Sequence, residues 1–267
     1  MAQRLSPETV WAALKTARSA GADAGWIAIG GARELADVLA RELGRGAAPG
    51  AARVTAGVDG ATVLVYVLAR AAGEEDRRAL RAAHRARVPL IAVLADPSLE
   101  ARVPFVFATD IVRVQVGSAF PLEEIARVIA HKLDDQAASL AARVPVLRRP
   151  VCEALISSYS RRAALIGAAV FLPGADMPAL TLNQIRLVLM IAAAHGIEVD
   201  RERLPEVLAV VGSGFALRTA ARQVLGAVPV AGWLVKGAVA YAGTRAVGEA
   251  AWRYFAARAE SAEPRAA

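Results

Sequence analysis

The chain has 267 residues, 56% of them hydrophobic and 5% aromatic, with 32 basic against 25 acidic residues and a formal charge of +7. That much aliphatic side chain fills a core and excludes a largely disordered chain. The single cysteine, Cys152, excludes a disulfide framework or a cysteine-based metal site within one chain.

The first 21 residues read as an amphipathic helix, with Ser6 as its N-cap and Pro7 at its first position. They have no apolar stretch laid out as a secretion signal, and with the lone cysteine this gives the expectation of a cytoplasmic protein. From 22 to 143 short apolar runs alternate with amphipathic helices. Strands are expected at Gly25–Ile29, Ala52–Ala56, Thr62–Leu68, Pro89–Leu94 and Pro104–Ala108, and a weaker one at Ile111–Val116. Helices are expected at Arg33–Leu43, Glu74–Ala86 and Pro121–Ala142. Continuous apolar strands with helices between them imply a mainly parallel sheet covered on both faces, a three-layer α/β domain. The densest basic run, Arg77, Arg78, Arg81, Arg85 and Arg87, follows Glu74, Glu75 and Asp76 and has no interleaved aromatic to stack on bases. It reads as a solvated, ion-paired helix face, and no specific nucleic acid partner is expected.

From 144 to 258 strand signals are absent. Pro145 and Pro150 mark a hinge into an all-α half with helices near 150–171, 178–195, 201–211, 214–226 and 230–258, broken where glycine or proline recurs. Residues 259–267 read as a frayed tail. Cys152 lies in an apolar helical segment and reads as a small core residue.

The stretch "GWIAIGGARELADVLARELG", 25–44, raises the question of phosphate binding, because an apolar strand ends in Gly30 and Gly31 just before a helix. A working phosphate loop has the pattern G-x-x-x-x-G-K-[ST]. Aligned on Gly31, its second glycine becomes Ala36, its lysine Asp37 and its hydroxyl Val38, so every working position is lost. Segment 62–98 resembles the middle of a translation-factor-type GTPase domain. The guanine-specificity motif N-K-x-D is replaced by Ala95, Asp96, Pro97 and Ser98, residues 53–61 supply no D-x-x-G loop, and 103–110 matches the last specificity loop weakly. The resemblance implies a P-loop-GTPase-like fold without catalysis, a pseudo-GTPase that needs no nucleotide or other cofactor. Residues 30–48 also resemble the opening of short-chain dehydrogenases, but Glu34 and Ala36 replace the later glycines. Tyr66, Tyr159, Tyr241 and Tyr254 are followed four residues on by Arg70, Ala163, Arg245 and Arg258 rather than lysine.

In the second half, Pro173–Asp176, Gln184–Arg186 and Lys236–Thr244, at their spacing, resemble the helical domain of bacterial YcjF-type proteins. That family is known mainly for accompanying GTPase domains, and no activity is attached to it. Read from the residues, Asp176 is an N-cap for the next helix, Asn183 and Arg186 share a face, and Gln184 lies about 100° away. Arg218, Lys236, Tyr241, Thr244 and Arg245 complete an internal polar network, with a ligand or partner pocket as the sharper alternative. His195 reads as a helix-end contact, His84 and His131 as helical, and the three histidines show no metal-ligand spacing. Ser157, Ser158 and Ser160 lie in no nucleophile elbow, and "GSG" at 212–214 reads as a helix break.

Two long apolar segments, Ala163–Ile185 and Gln223–Thr244, approach the length of a membrane span, but each is interrupted by proline and glycine and carries an internal charge. The expected function is therefore a non-catalytic regulatory or scaffolding protein, bound to a protein partner or to itself. The alternatives are a membrane-associated adaptor anchored by its helical half, and an unusual nucleotide-binding enzyme using Gly30, Gly31 and Arg33.

Overall fold

The computed structural model describes residues 25–100, 102–169, 177–199 and 232–262. The expected N-terminal helix, the Pro173–Asp176 turn, Arg218 and the helices expected across 201–226 lie outside the described residues. The chain divides into two compact units, the first ending at Val151 and the second beginning at Cys152.

In the first unit the elements are β1 (Ile27–Gly31), α1 (Arg33–Leu43), β2 (Ala52–Val54), β3 (Val63–Leu68), α2 (Glu74–Arg85), β4 (Leu90–Leu94), β5 (Ile111–Arg113), α3 (Leu122–Leu133) and α4 (Ala137–Arg143). The five strands form one sheet in the order β2-β1-β3-β4-β5, and every pairing is parallel. The apolar runs dictate this arrangement. All residues of β3 and β4 are buried, as expected for strands covered on both faces. The two edge strands are three residues long, which limits the unpaired backbone they offer.

One face of the sheet is formed by Trp26, Ala28, Leu64, Tyr66, Leu68, Leu90, Ala92 and Leu94. It packs against Leu80 and Ala83 of α2. The right-handed crossover rule puts α1, between β1 and β2, on the opposite face, and α3, which follows the last strand, is likewise absent from the α2-side cluster. There α1 buries Ala36, Leu39 and Leu43, and α3 buries Ile125, Ile129 and Leu133. Charge placement suits the helix dipoles: α2 begins Glu74-Glu75-Asp76 and ends His84-Arg85. The Arg143 guanidinium donates to the carbonyls of Gly25 (2.7 Å) and Pro49 (3.1 Å), fastening α4 to the amino edge of the sheet.

Two expectations are corrected. Pro104–Ala108 is not a strand; Phe105 has φ +65°, which breaks extended backbone, and Ile111–Arg113 pairs with β4 instead. The long helix expected over Pro121–Ala142 is split at Asp134, where φ is +48°. Between Val144 and Pro150 the chain forms a 3-10 turn, Pro145–Leu147, leading directly into the next helix, with Val144 and Leu147 fully buried.

The second unit contains most of α5 (Arg148–Ala169), together with α6 (Met177–Ala194) and α7 (Gly232–Ala262), so helix continues to Ala262 where a frayed tail was expected from 259. In α6 every residue from Leu187 to Ala192 is buried, as in a helix enclosed on all sides. Buried Gly237, Ala240, Thr244, Val247, Ala251 and Phe255 recur at three- and four-residue steps along α7. That seam lets α7 approach α5 closely: a Cβ on Gly167 would come within 2.9 Å of the Ala240 Cβ, and one on Gly237 within 3.1 Å of the Ala164 carbonyl. Gly248 lies against Ile156, so the two helices run antiparallel.

Candidate functional site

Ligands of open parallel sheets bind beyond the carboxyl ends of the strands, at the point where strand order reverses. Here that point lies between β1 and β3, and Gly30 and Gly31 lead directly to it. The crossing from β1 to α1 is a single residue, Ala32. Its amide donates to the Val67 carbonyl at 2.9 Å and so is spent on the sheet. Both glycines have packing reasons. Gly30 pairs with Tyr66, whose ring lies 3.1 Å from where a Cβ would stand. Gly31 has φ +99°, and a Cβ there would sit 1.9 Å from the Val67 carbonyl oxygen. Ala36, Asp37 and Val38 are all within α1, Ala36 fully buried and Asp37 exposed. No loop separates strand from helix to wrap a phosphate.

Tyr66 is fixed from its far end as well. Its hydroxyl donates to Asp76 Oδ1 at 3.0 Å, while Asp76 Oδ2 accepts the Gly73 amide at 2.8 Å and faces the Arg70 guanidinium at 3.3 Å. Burial, reinforced by the Asp76 carboxylate, pushes the Tyr66 phenol far above its ordinary value. Asp76 thus caps α2 and anchors the β3 tyrosine together.

After β4, the Ala95–Ser98 turn closes on itself. Asp96 accepts both the Ser98 hydroxyl (2.7 Å) and the Ser98 amide (2.9 Å), and these bonds hold its carboxyl below the usual carboxylate range. Arg113 of β5 donates to the carbonyls of Pro97 and Leu99, locking the turn to the edge strand. Beside this turn a cavity of about 560 Å³ opens between α1 and the segment that follows β5. Leu35, Val38, Glu42, Ala95, Val114 and Phe120 are among its walls.

In the helical unit the expected polar network divides. Asn183 is buried, and its amide donates to the Tyr159 carbonyl of α5 at 3.0 Å. The next residue, Gln184, donates to Thr244 Oγ1 of α7 at 3.3 Å, and Thr244 is fully buried. Successive helix positions point about 100° apart, which is why adjacent residues of α6 reach two different helices. Arg186, expected on the Asn183 face, is instead exposed, as is Lys236. Three residues of helix put Arg186 far enough round from Asn183 to leave the interface, so neither cation is an internal group. Arg245 is exposed too, held by Glu249 at 2.9 Å and by the Tyr241 hydroxyl. Among the described residues the arrangement joins three helices and collects no acid, base and nucleophile at one point.

No family model, curated protein or solved structure matches the chain.

The remaining expected groups are structural. His195 Nδ1 lies 2.9 Å from the Ile191 carbonyl at the end of α6, the helix-end contact expected of it. His84 stacks on Phe105 at 4.8 Å, and His131 is exposed. Cys152 is buried, and burial pushes its thiol up to about 12, leaving it unreactive at neutral pH. Ser160 is fully buried, and its hydroxyl has no hydrogen-bond partner among the described residues, so no base is placed to activate it. Among the described residues no three His, Cys, Asp or Glu side chains group to hold a metal, and no helix is long and apolar enough to cross a membrane. Parts of both expected long apolar segments lie outside the described residues. Sequence reasoning missed the cavity wall: Glu42 and Phe120 lie 78 positions apart on an amphipathic helix and a loop, and no local pattern connects them.

Proposed function

We propose that the chain is a non-catalytic regulatory or scaffolding protein working through protein contacts. The observation that carries this reading is the one-residue crossing at Ala32, where both glycines and the amide expected to face a phosphate are used in packing against β3. The strand order 2-1-3-4-5 favours a flavodoxin-type doubly wound domain over a phosphate-loop one as the parent of this half. In a phosphate-loop lineage the glycine, lysine and hydroxyl a nucleotide enzyme needs are lost at Ala36, Asp37 and Val38.

The YcjF-type reading of the helical half accords with the same function. Gly237, Ala240 and Thr244 within its Lys236–Thr244 segment lie on the helix-packing seam, a structural use for a motif without attached activity. A partner surface is supported by Leu165 of α5 and Val235 of α7, which are 70% and 43% exposed although large and apolar.

The test is thermal unfolding with magnesium and GTP, GDP or ATP. A ligand at a hundred times its dissociation constant stabilises the native state by about 2.7 kcal/mol. No displacement of Tm is expected, and a saturable rise with any of the three overturns the proposal. Affinity capture by the full chain, compared with Leu165→Glu, tests the partner surface.

A further inference from the structure

We infer that the cavity at the carboxyl edge of the sheet binds a small, largely apolar molecule bearing one cationic amine, with Glu42 as its counter-charge. The charge of the cavity runs against that of the chain. Although the protein carries +7, the residues lining this cavity include two carboxylates, Glu42 and Asp96, and no lysine, arginine or histidine. Such a wall repels phosphates and carboxylates and attracts cations.

Asp96 is already occupied by Ser98, through both hydroxyl and amide. Glu42 is not: its Oε2 is shut away from water and accepts no hydrogen bond among the described residues. Leaving a carboxylate oxygen in that condition is costly, and an ammonium N–H from a ligand relieves it. Glu42 lines the cavity, and the terminal torsion of a glutamate is broad, so its carboxylate can turn to meet a donor there.

The rest of the wall is apolar. Leu35 and Val38 lie on the same side of α1 as Glu42, and the half-buried Phe120 offers a ring to stack on or to face a cation. At the mouth, Val116 is 84% exposed, an apolar side chain that a ligand would cover. A volume of about 560 Å³ lies within the range of small-molecule sites. Position agrees with chemistry, because the cavity adjoins the carboxyl ends of the strands, where doubly wound sheets bind ligands. This inference does not depend on the absence of catalysis.

The test uses the full chain and three probes of similar size, phenethylamine, phenethyl alcohol and phenylacetate, with naphthylethylamine as a larger homologue. Binding is followed by calorimetry and by perturbation of the Phe120 and Val116 resonances. The expected order is naphthylethylamine, then phenethylamine, then the alcohol, with no saturable binding of phenylacetate. Glu42→Gln is expected to weaken both amines about tenfold, which corresponds to about 1.4 kcal/mol, while leaving the alcohol unchanged. Ala95→Trp, which adds bulk at the cavity wall, is expected to abolish all binding, with circular dichroism confirming the fold. The inference is overturned if no amine binds saturably to the wild-type chain, if Glu42→Gln binds amines as tightly as wild type, or if phenylacetate binds better than phenethylamine.

Discussion

Replacing Gly31 with alanine tests whether this glycine serves the sheet or a ligand. Two costs follow from the structure. At φ +99° a side chain occupies a backbone region that L-residues rarely adopt, a strain of about 1–3 kcal/mol. The new Cβ would also stand 1.9 Å from the Val67 carbonyl oxygen. Restoring normal contact requires β1 and β3 to part by about an ångström at their carboxyl ends, which breaks the bond from the Ala32 amide to Val67 and leaves buried groups unpaired, a further cost of about 1–3 kcal/mol. Against a typical folding stability of about 5–15 kcal/mol, a combined loss of about 2–6 kcal/mol is severe. Two other glycines separate the contributions. Gly50 has φ +71° but open space around its Cβ, so Gly50→Ala bears only the backbone strain, about 1–2 kcal/mol. Gly57 has neither a left-handed φ nor a neighbour within 4 Å, so Gly57→Ala is expected to be neutral or to stabilise by about 0.4–1 kcal/mol through the unfolded chain. Urea unfolding gives the three values, and hydrogen exchange of the β1 and β3 amides localises the damage. A Gly31→Ala stability within about 1 kcal/mol of wild type, or a deficit that depends on added nucleotide, would mean that Gly31 does not serve the sheet.

Tyr66→Phe removes the hydroxyl bound to Asp76 and should cost about 1–2 kcal/mol at neutral pH. Because burial and then the Asp76 carboxylate raise the folded-state phenol value, Tyr66 contributes stability that is fully present below the unfolded value of about 10 and is lost as pH climbs beyond it. Tyrosinate absorbance should accordingly show Tyr66 ionising only with unfolding, and Tyr66→Phe should reduce the alkaline sensitivity of urea midpoints. In the helical unit, Thr244→Val removes the acceptor of Gln184 and should lower stability by about 1 kcal/mol, whereas Arg186→Ala at an exposed position should stay within about 0.5 kcal/mol; comparable losses would return Arg186 to the internal network. Gly248→Ala puts a Cβ 2.7 Å from Ile156 Cγ1 and should cost about 1–3 kcal/mol by overpacking. The double variant with Ile156→Ala should be more stable than the sum of the single losses, and strict additivity would deny that contact.

Periodicity and punctuation gave the elements wherever a local rule suffices. Helix α1 spans Arg33–Leu43 as expected, since its buried Ala36, Leu39 and Leu43 lie three and four apart, with Glu34 early and Arg41 late. The apolar runs at Val63–Leu68 and Leu90–Leu94 are strands buried on both faces, as their continuous, β-branched composition implies. Pro104–Ala108 misled because its apolar composition matches a strand, while the left-handed Phe105, stacked on His84, is set by a neighbour in space.

A parallel-sheet half, a helical half and a would-be phosphate motif without its glycine, lysine and hydroxyl are all legible in the residues alone. Those properties depend on residue type at short spacing. Why Gly30 and Gly31 are glycines emerges only from the packed sheet, because the reason lies in Tyr66 and Val67 of a neighbouring strand. The split of Asn183 and Arg186 between buried and exposed positions depends on where α5 and α7 cover α6. The acidic, arginine-free cavity is likewise a property of packing, assembled from α1, the β4 turn and the segment after β5. A side chain's chemistry is written locally, but its surroundings are set by strands and helices distant in the chain.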